Sequence, residues 1–259
     1  MLALVQRLAD LIAAPVCALC GGAGQRLDEP WGLDLCRWCE QACTPVQNPC
    51  PCCGGVTDPP GICASCQRQP PPYDATFSLF RYEDPVDLMI TGLKFRHELA
   101  LARVLGTLFA RAHRRAGRAL PQCLVPMPLH ASRYRERGFN QCAEIARHIA
   151  PRLRDTTGRR LVLRPELLQR VRATAAQSEL DAAARAANLQ GAFRAGPGPL
   201  PAHVAVLDDV MTTGHTAAAA ALALKRAGCL RVEIWACARA LQRGHQPDLI
   251  SSAALSKRT

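Results

Sequence analysis

Apolar and polar positions change their spacing several times along the chain, and each change predicts a different element. Residues 75–82 alternate, as a half-buried strand does. Residues 85–95 and 99–116 place apolar side chains at helical intervals. Residues 122–126 form a short apolar run that reads as a buried strand, and 140–149 return to helical spacing. Two weak strand candidates, 160–163 and 191–194, flank a polar, Ala-rich stretch. Residues 203–207 read as a buried strand, 216–227 as a helix and 232–236 as another strand. Strands separated by helices predict an α/β domain with a parallel sheet flanked by helices.

The segment before this pattern is different. Residues 15–72 are rich in Cys, Pro and Gly, lack a sustained period, and end in Gln69-Pro70-Pro71-Pro72, a stiff boundary. The expected organisation is therefore 1–72 as an N-terminal helix and Cys-rich module, 73–242 as the α/β domain and 243–259 as a loose tail. The first 14 residues read as a short amphipathic helix. Their apolar run is interrupted by Arg7 and Asp10, which does not make a signal peptide. No stretch approaches the roughly 18 apolar residues of a membrane span. The expected compartment is the cytoplasm, where paired cysteines signal metal rather than disulfides.

Of the 14 cysteines, ten lie before residue 67. Cys17-x2-Cys20 and Cys36-x2-Cys39 stand 15 residues apart, and Cys50-x2-Cys53 and Cys63-x2-Cys66 stand nine apart. A Cys-x2-Cys turn presents two thiolates to one side of a tetrahedron, so eight such ligands predict two closed, structural zinc sites, a double zinc ribbon. The spacing leaves sequential and cross-braced pairing open, and an iron–sulfur cluster or free buried thiols would use the same residue types. Cys43 and Cys52 are left over, and Cys123, Cys142, Cys229 and Cys237 sit in apolar surroundings, as small core residues do.

Charge adds a preference for anionic partners: the net charge is +11, and 29 of the 32 basic residues are arginine. The chemistry itself is carried by the run Val206-Leu207-Asp208-Asp209-Val210-Met211-Thr212-Thr213-Gly214-His215-Thr216. An apolar strand delivers two acids, a Thr/Gly turn follows, and a helix begins. Backbone N–H groups and hydroxyls of Thr212, Thr213, Gly214, His215 and Thr216 would receive a phosphate at the helix N-terminus. Asp208 and Asp209 suit ribose hydroxyls and positive charge developing on a sugar ring.

At these residues the chain resembles the type I phosphoribosyltransferases. The resemblance implies 5-phosphoribosyl-1-diphosphate as ligand, Mg2+ as its companion, and Asp208 and Asp209 as catalytic residues. It sharpens further on. Val125-Pro126-Met127-Pro128-Leu129-His130, Arg133 and Arg137-Gly138-Phe139-Asn140-Gln141 resemble the ComF family of competence and DNA-utilisation proteins. So do Arg172-Ala173-Thr174, Gln177, Arg185, Asn188, Gly92-Leu93-Lys94-Phe95 and the N-terminal cysteine pairs. That resemblance implies a diphosphate loop at Pro126, Met127, Pro128 and Leu129, with Arg133 and Arg137 beside it. It also implies a flexible closing loop containing Arg172, Gln177 and Arg185. Arg133, Arg135 and Arg137 could clamp a diphosphate bidentately.

Two functions of different kind follow as expectations. One is transfer of ribose 5-phosphate to an acceptor the sequence does not reveal; no general base stands out. The other is handling of single-stranded DNA in transformation, with helicase-like and recombination proteins as the partners the family implies. A variant of the second keeps the transferase fold for ligand sensing without chemistry.

Overall fold

The computed structural model of the chain describes residues 14–26, 32–172 and 191–240. Its centre is a five-stranded parallel sheet. The strands are β1 (Ala75–Arg81), β2 (Cys123–Pro126), β3 (Val162–Leu163), β6 (His203–Met211) and β7 (Arg231–Arg239), in the order β1-β7-β6-β2-β3. In β6, Ala205 and Leu207 enter one core while Val204 and Val206 enter the other. That is why this strand reads as a continuous apolar run rather than an alternating one: both faces of a parallel sheet are covered.

One face is covered by helices α3 (Val86–Arg96), α4 (Ala100–Arg115) and α6 (Gln141–Ile149), whose buried residues surround Phe109 and Trp235. Gly106 allows α4 and α6 to meet closely; a Cβ there would lie 2.6 Å from the His148 Cβ and 2.9 Å from the Ile145 carbonyl oxygen. The other face is covered by α7 (His215–Arg226) and by an antiparallel pair, β4 (Leu168–Arg170) with β5 (Phe193–Ala195). Helix α6 leaves β2 toward the first face and α7 leaves β6 toward the second. The carboxyl ends of these neighbouring strands therefore open a crevice, the place where open α/β sheets bind ligands.

The Cys-rich region contributes two short helices, α1 (Arg37–Ala42) and α2 (Ala64–Arg68), and lies along the outer edge of β1. Thr76 N–H donates to the Pro51 carbonyl (2.9 Å), Val46 N–H to that of Leu79 (3.2 Å) and Arg81 N–H to that of Thr44 (2.9 Å). Cys17, Leu33, Leu35 and Cys43 join the same core as Leu79 and Phe80. An edge strand that would otherwise be open for pairing with another chain is thus occupied.

The parallel α/β sheet and the Cys-rich region before it are as anticipated, with three differences in detail. Strand β6 does not end before the acids: it runs through Asp208 and Asp209 to Met211, because Val210 and Met211 continue the ladder opposite Ala238 and Arg239 of β7. The candidate strand at 191–194 belongs to the separate β4–β5 pair, not the main sheet. The arginines after β2 sit on a short helix, α5 (Ala131–Arg137), started by the His130 ring accepting from Ser132 N–H. The anticipated N-terminal helix, the tail, and Gln177 and Arg185 of the expected closing loop lie outside the described residues.

Candidate functional site

Two hollows meet at the carboxyl ends of β2 and β6. The larger, about 400 Å3, is lined by Met127, Pro128, Leu129 and His130 after β2, by Arg133 and Arg137 of α5, and by Asp208 and Asp209 of β6. Lys94, Phe95, Gln141, Cys142 and Arg170 complete its wall. The smaller, about 40 Å3, lies inside the turn between β6 and α7 and is lined by Met211, Thr212, Gly214, His215 and Thr216. Asp208, Val210 and Thr216 border both.

The small hollow depends on Gly214. It caps α7 with a left-handed φ of +83°, and a Cβ there would meet the Met211 Cε at 3.0 Å and the Tyr73 hydroxyl at 3.1 Å. Helix α7 starts directly after it, so its unsatisfied N–H groups and its dipole favour an anion at this point. Thr213 Oγ1 and His215 Nδ1 are hydrogen-bonded at 3.0 Å, which fixes the outer side of the turn.

The two acids differ. Lys94 Nζ lies 2.7 Å from Asp209 Oδ2, and the Asp209 carboxylate also accepts from Gln141 and from Val210 N–H. Burial alone would push the Asp209 carboxyl up, but the Lys94 charge and these bonds hold it below its usual 3.8. Asp208 Oδ1 accepts from Asp209 N–H at 3.0 Å, and among the described residues no ammonium or guanidinium is recorded in a salt bridge with it. Burial first, and the neighbouring Asp209 charge second, push its carboxyl up to about 7. One carboxylate is thus held toward its ionised form and the other is pushed up to about 7. The Cys142 Sγ stands 3.9 Å from Asp208 Oδ1, and burial lifts its thiol well above the usual range, so it remains a neutral neighbour rather than a nucleophile.

Further bonds hold the β2 side in register with the acids. Asn140 caps α6, accepting from Cys142 N–H (2.9 Å) and Ala143 N–H (3.3 Å), and its Nδ2 donates to the Met127 carbonyl at 3.0 Å. Arg137 donates to Gln141 Oε1 at 2.5 Å and stacks 5.5 Å from the centre of the exposed Phe95 ring. Arg133 pairs with Glu136 at 3.0 Å on the surface, a contact weak enough to exchange for a ligand.

Asp208, Asp209, the Thr/Gly turn and residues 127–130 lie around one crevice, together with Arg133 and Arg137. Pro126 ends β2 behind the lining, Arg135 is outside it, and Arg172 is the last residue described before 191. Lys94, Gln141 and Arg170 were not anticipated as site residues. A signal for Lys94 existed: a chain that uses arginine almost throughout keeps one of its three lysines there.

The cysteines form a second pair of candidate sites. Cys17, Cys20, Cys36 and Cys39 gather in one group and Cys50, Cys53, Cys63 and Cys66 in another, with the sulfurs of each group within 4.8 Å of one another. The pairing is sequential, not cross-braced. The Cys20–Cys36 and Cys53–Cys63 sulfurs are 3.7 and 3.8 Å apart. Four sulfurs at a Zn–S distance of about 2.3 Å would stand roughly 3.8 Å apart, so both clusters could hold structural zinc. Cys43 and Cys52 stay outside both groups, and Cys123, Cys142, Cys229 and Cys237 are buried. No described helix is long and apolar enough to cross a membrane.

A parallel α/β sheet with a crevice at its carboxyl edge, joined to two four-cysteine clusters, is the class of protein these features define. A scan against protein-family models finds no match. Individual relatives do match. The chain is 36% identical over 216 residues to the DNA utilization protein YhgH of Salmonella typhi, covering 82% of this chain and 92% of that one. It is 34% identical over 216 residues, with the same coverage, to the protein of that name from Escherichia coli K12. With competence protein F of Haemophilus influenzae it shares 30% identity over 190 residues, 69% of this chain and 78% of the other. The chain belongs to the ComF family.

Proposed function

We propose that the protein binds 5-phosphoribosyl-1-diphosphate in the crevice between β2 and β6 and serves DNA uptake or utilisation. One observation carries the ligand: the hollow inside the Gly214-capped turn and the larger hollow lined by Asp208, Asp209 and residues 127–130 adjoin, sharing Asp208, Val210 and Thr216 as walls. The 5-phosphate is assigned to the N–H groups and hydroxyls of Thr212, Thr213, Gly214, His215 and Thr216. The ribose hydroxyls are assigned to Asp208 and Asp209, and the diphosphate to the loop Pro126, Met127, Pro128 and Leu129 with Arg133 and Arg137. Arg172, Gln177 and Arg185 are assigned to a closing loop. The role in DNA uptake or utilisation rests on the names of the relatives.

In the transfer such a site supports, the C1′–oxygen bond to the diphosphate breaks as a bond from the acceptor to C1′ forms, and pyrophosphate leaves. The carboxylates favour the positive charge that spreads over C1′ and the ring oxygen. Mg2+, for which the Asp208 carboxylate is an oxygen donor of suitable kind, would neutralise the leaving diphosphate. Two structural zincs are assigned to the closed Cys17/Cys20/Cys36/Cys39 and Cys50/Cys53/Cys63/Cys66 sets, which leave no open position for catalysis.

Calorimetry with the donor and Mg2+ tests the reading. Wild type is expected to bind, and Thr213→Asp, which sets a carboxylate against the 5-phosphate, to lose binding through like-charge repulsion. Absence of any wild-type binding to the donor or to ribose 5-phosphate would remove the proposal, and unchanged affinity in Thr213→Asp would move the phosphate elsewhere.

Single-stranded DNA is the proposed macromolecular partner, with helicase-like and recombination proteins beyond it. Support comes from the net charge of +11 and from exposed arginines on α5 at the mouth of the crevice. Affinity for an oligonucleotide should fall steeply with salt as phosphate contacts displace counterions. Reversing the charge of Arg133, Arg135 and Arg137 should flatten that slope by about two to three counterions. A salt-independent affinity would exclude a phosphate-backbone mode.

A further inference from the structure

The second cysteine cluster and the turn proposed to hold the phosphate are far apart in sequence, yet one buried side chain touches both. Arg239, at the end of β7, is 6% exposed. Its Nε donates to the carbonyl of Cys53 at 3.1 Å. Its Nη1 donates to the carbonyls of Met211 (2.9 Å) and Ala240 (3.0 Å), and also to that of Thr212. Around this side chain lies a cavity of about 430 Å3, bordered by Cys53, Cys66, Tyr73, Thr213, Gly214 and His215. A guanidinium in this position meets fixed carbonyl dipoles on both sides.

The cluster end of this link is rigid. Gly54, next to Cys53, has a φ of +67°, and a Cβ on it would come within 2.5 Å of Ser78 Oγ and 2.7 Å of Thr76 Cγ2. Thr76 Oγ1 donates to the Cys52 carbonyl at 2.5 Å. The knuckle is therefore pressed onto β1, and the Cys53 carbonyl is held toward Arg239. At the other end, peptide planarity gives the link a consequence. In a trans peptide the C=O of one residue and the N–H of the next point in opposite directions. Arg239 draws the Met211 and Thr212 carbonyls to itself, so the Thr212 and Thr213 N–H groups are turned the other way. Those are two of the donors assigned to the phosphate. The first cluster is tied elsewhere: Asp34 and Glu40 beside it pair with Arg103 and Arg111 of α4.

We infer that Arg239 is a positioning residue that couples the Cys50/Cys53/Cys63/Cys66 cluster to the phosphate turn at 212–214, so that metal in that cluster orders the turn and strengthens its hold on a phosphate. The affinity part rests on the function proposed above; the ordering part does not. Without its metal the 50–66 segment loses the binding energy that folds it. Arg239 then loses the Cys53 carbonyl and gains an open cavity to swing into. By linkage, phosphate in the turn should in return raise the metal affinity of this cluster and not of the other.

The test uses the full chain with two readouts, hydrogen exchange of the 211–216 amides and calorimetric affinity for ribose 5-phosphate. Removing metal from the second cluster alone, by Cys63→Ser with Cys66→Ser, is expected to speed exchange at 212–214 and to weaken binding, each by about tenfold. Cys17→Ser with Cys20→Ser should leave both within about twofold. Arg239→Gln should retain two metals, bind about tenfold more weakly, and show no further loss when the second cluster is emptied. Unchanged exchange at 212–214 after loss of the second metal overturns the inference. So does an equal response to loss of either cluster, which would signify general unfolding, and so does additivity of Arg239→Gln with metal loss. If exchange responds as expected but wild type binds neither ribose 5-phosphate nor its diphosphate, the coupling stands and the phosphate assignment of the turn falls.

Discussion

Preparations of the protein are expected to carry about two zinc ions per chain, and their removal to unfold the Cys-rich region and expose the outer edge of β1. The magnitude follows from how little else holds that region together. Its two helices have six and five residues, far below the length at which a helix persists alone. Its apolar contribution to the shared core comes from a few side chains, among them Leu33 and Leu35. A four-thiolate zinc site contributes on the order of 10 kcal/mol or more to such a fold, against roughly 1.5–3 kcal/mol for each of these buried leucines. Cys36→Ser and Cys63→Ser should each reduce the metal count by about one, because the clusters pair sequentially and share no ligand. Both should be sensitive to acid, since thiolates must take up protons to release the metal. Once the region loosens, the backbone groups of β1 that now meet Pro51, Thr44 and Val46 become free to pair with another chain. Chelator-treated protein should therefore aggregate, and metal analysis with light scattering reads both effects. Full metal retention in both variants would refute the assignment.

Why these clusters were readable in advance, while the acid pair was only half readable, is a matter of range. A Cys-x2-Cys turn is local: four consecutive residues fix two ligands, and only the pairing of turns needs the fold. The Thr212-Thr213-Gly214 turn is local in the same sense, since a glycine before a helix and an apolar strand before the turn already define its geometry. The run from Val204 to Leu207 was legible as buried on both faces because it has no polar position. Strand β4 was not legible, for Leu168–Arg170 is too short to show a period and gains its place by pairing with Phe193–Ala195. Nor was the end of β6, because Asp208 and Asp209 resemble a turn until Ala238 and Arg239 are seen to continue the ladder beside them. Least legible was the inequality of the two acids. It arises from Lys94 on α3 and Gln141 on α6, which come together only when both helices pack on the same face of the sheet.

That inequality has a large and measurable consequence, opposite in sign for two adjacent residues of the same type. The Asp208 carboxyl titrates near 7 in the folded chain against 3.8 in the ordinary range, so folding favours its protonated form. Below about pH 4 it is protonated in both states and costs nothing. As the pH rises the unfolded chain ionises first, and the fold bears a growing penalty that is complete above 7. Asp208→Asn keeps the acceptor for Asp209 N–H and removes the charge. It should stabilise the protein at pH 8 by on the order of 2–4 kcal/mol, a gain that declines through neutrality and vanishes near pH 4. Asp209 is held below 3.8 by Lys94, so its contribution is present above about pH 4 and is lost only in acid. Asp209→Asn strands an ammonium whose side chain is 20% exposed, and should destabilise by about 3 kcal/mol at pH 5 and pH 8 alike. Urea unfolding of the two variants across pH 5 to 8 separates these expectations. On the function proposed above, the chain tolerates Asp208 because a carboxylate that is costly when folded but ionises near neutral pH is held ready for a cationic sugar ring, and its replacement should raise stability while removing the proposed transfer. Equal destabilisation by both variants at pH 8 would show that Lys94 serves the two acids in common, and would take from Asp208 the charge-stabilising role given to it.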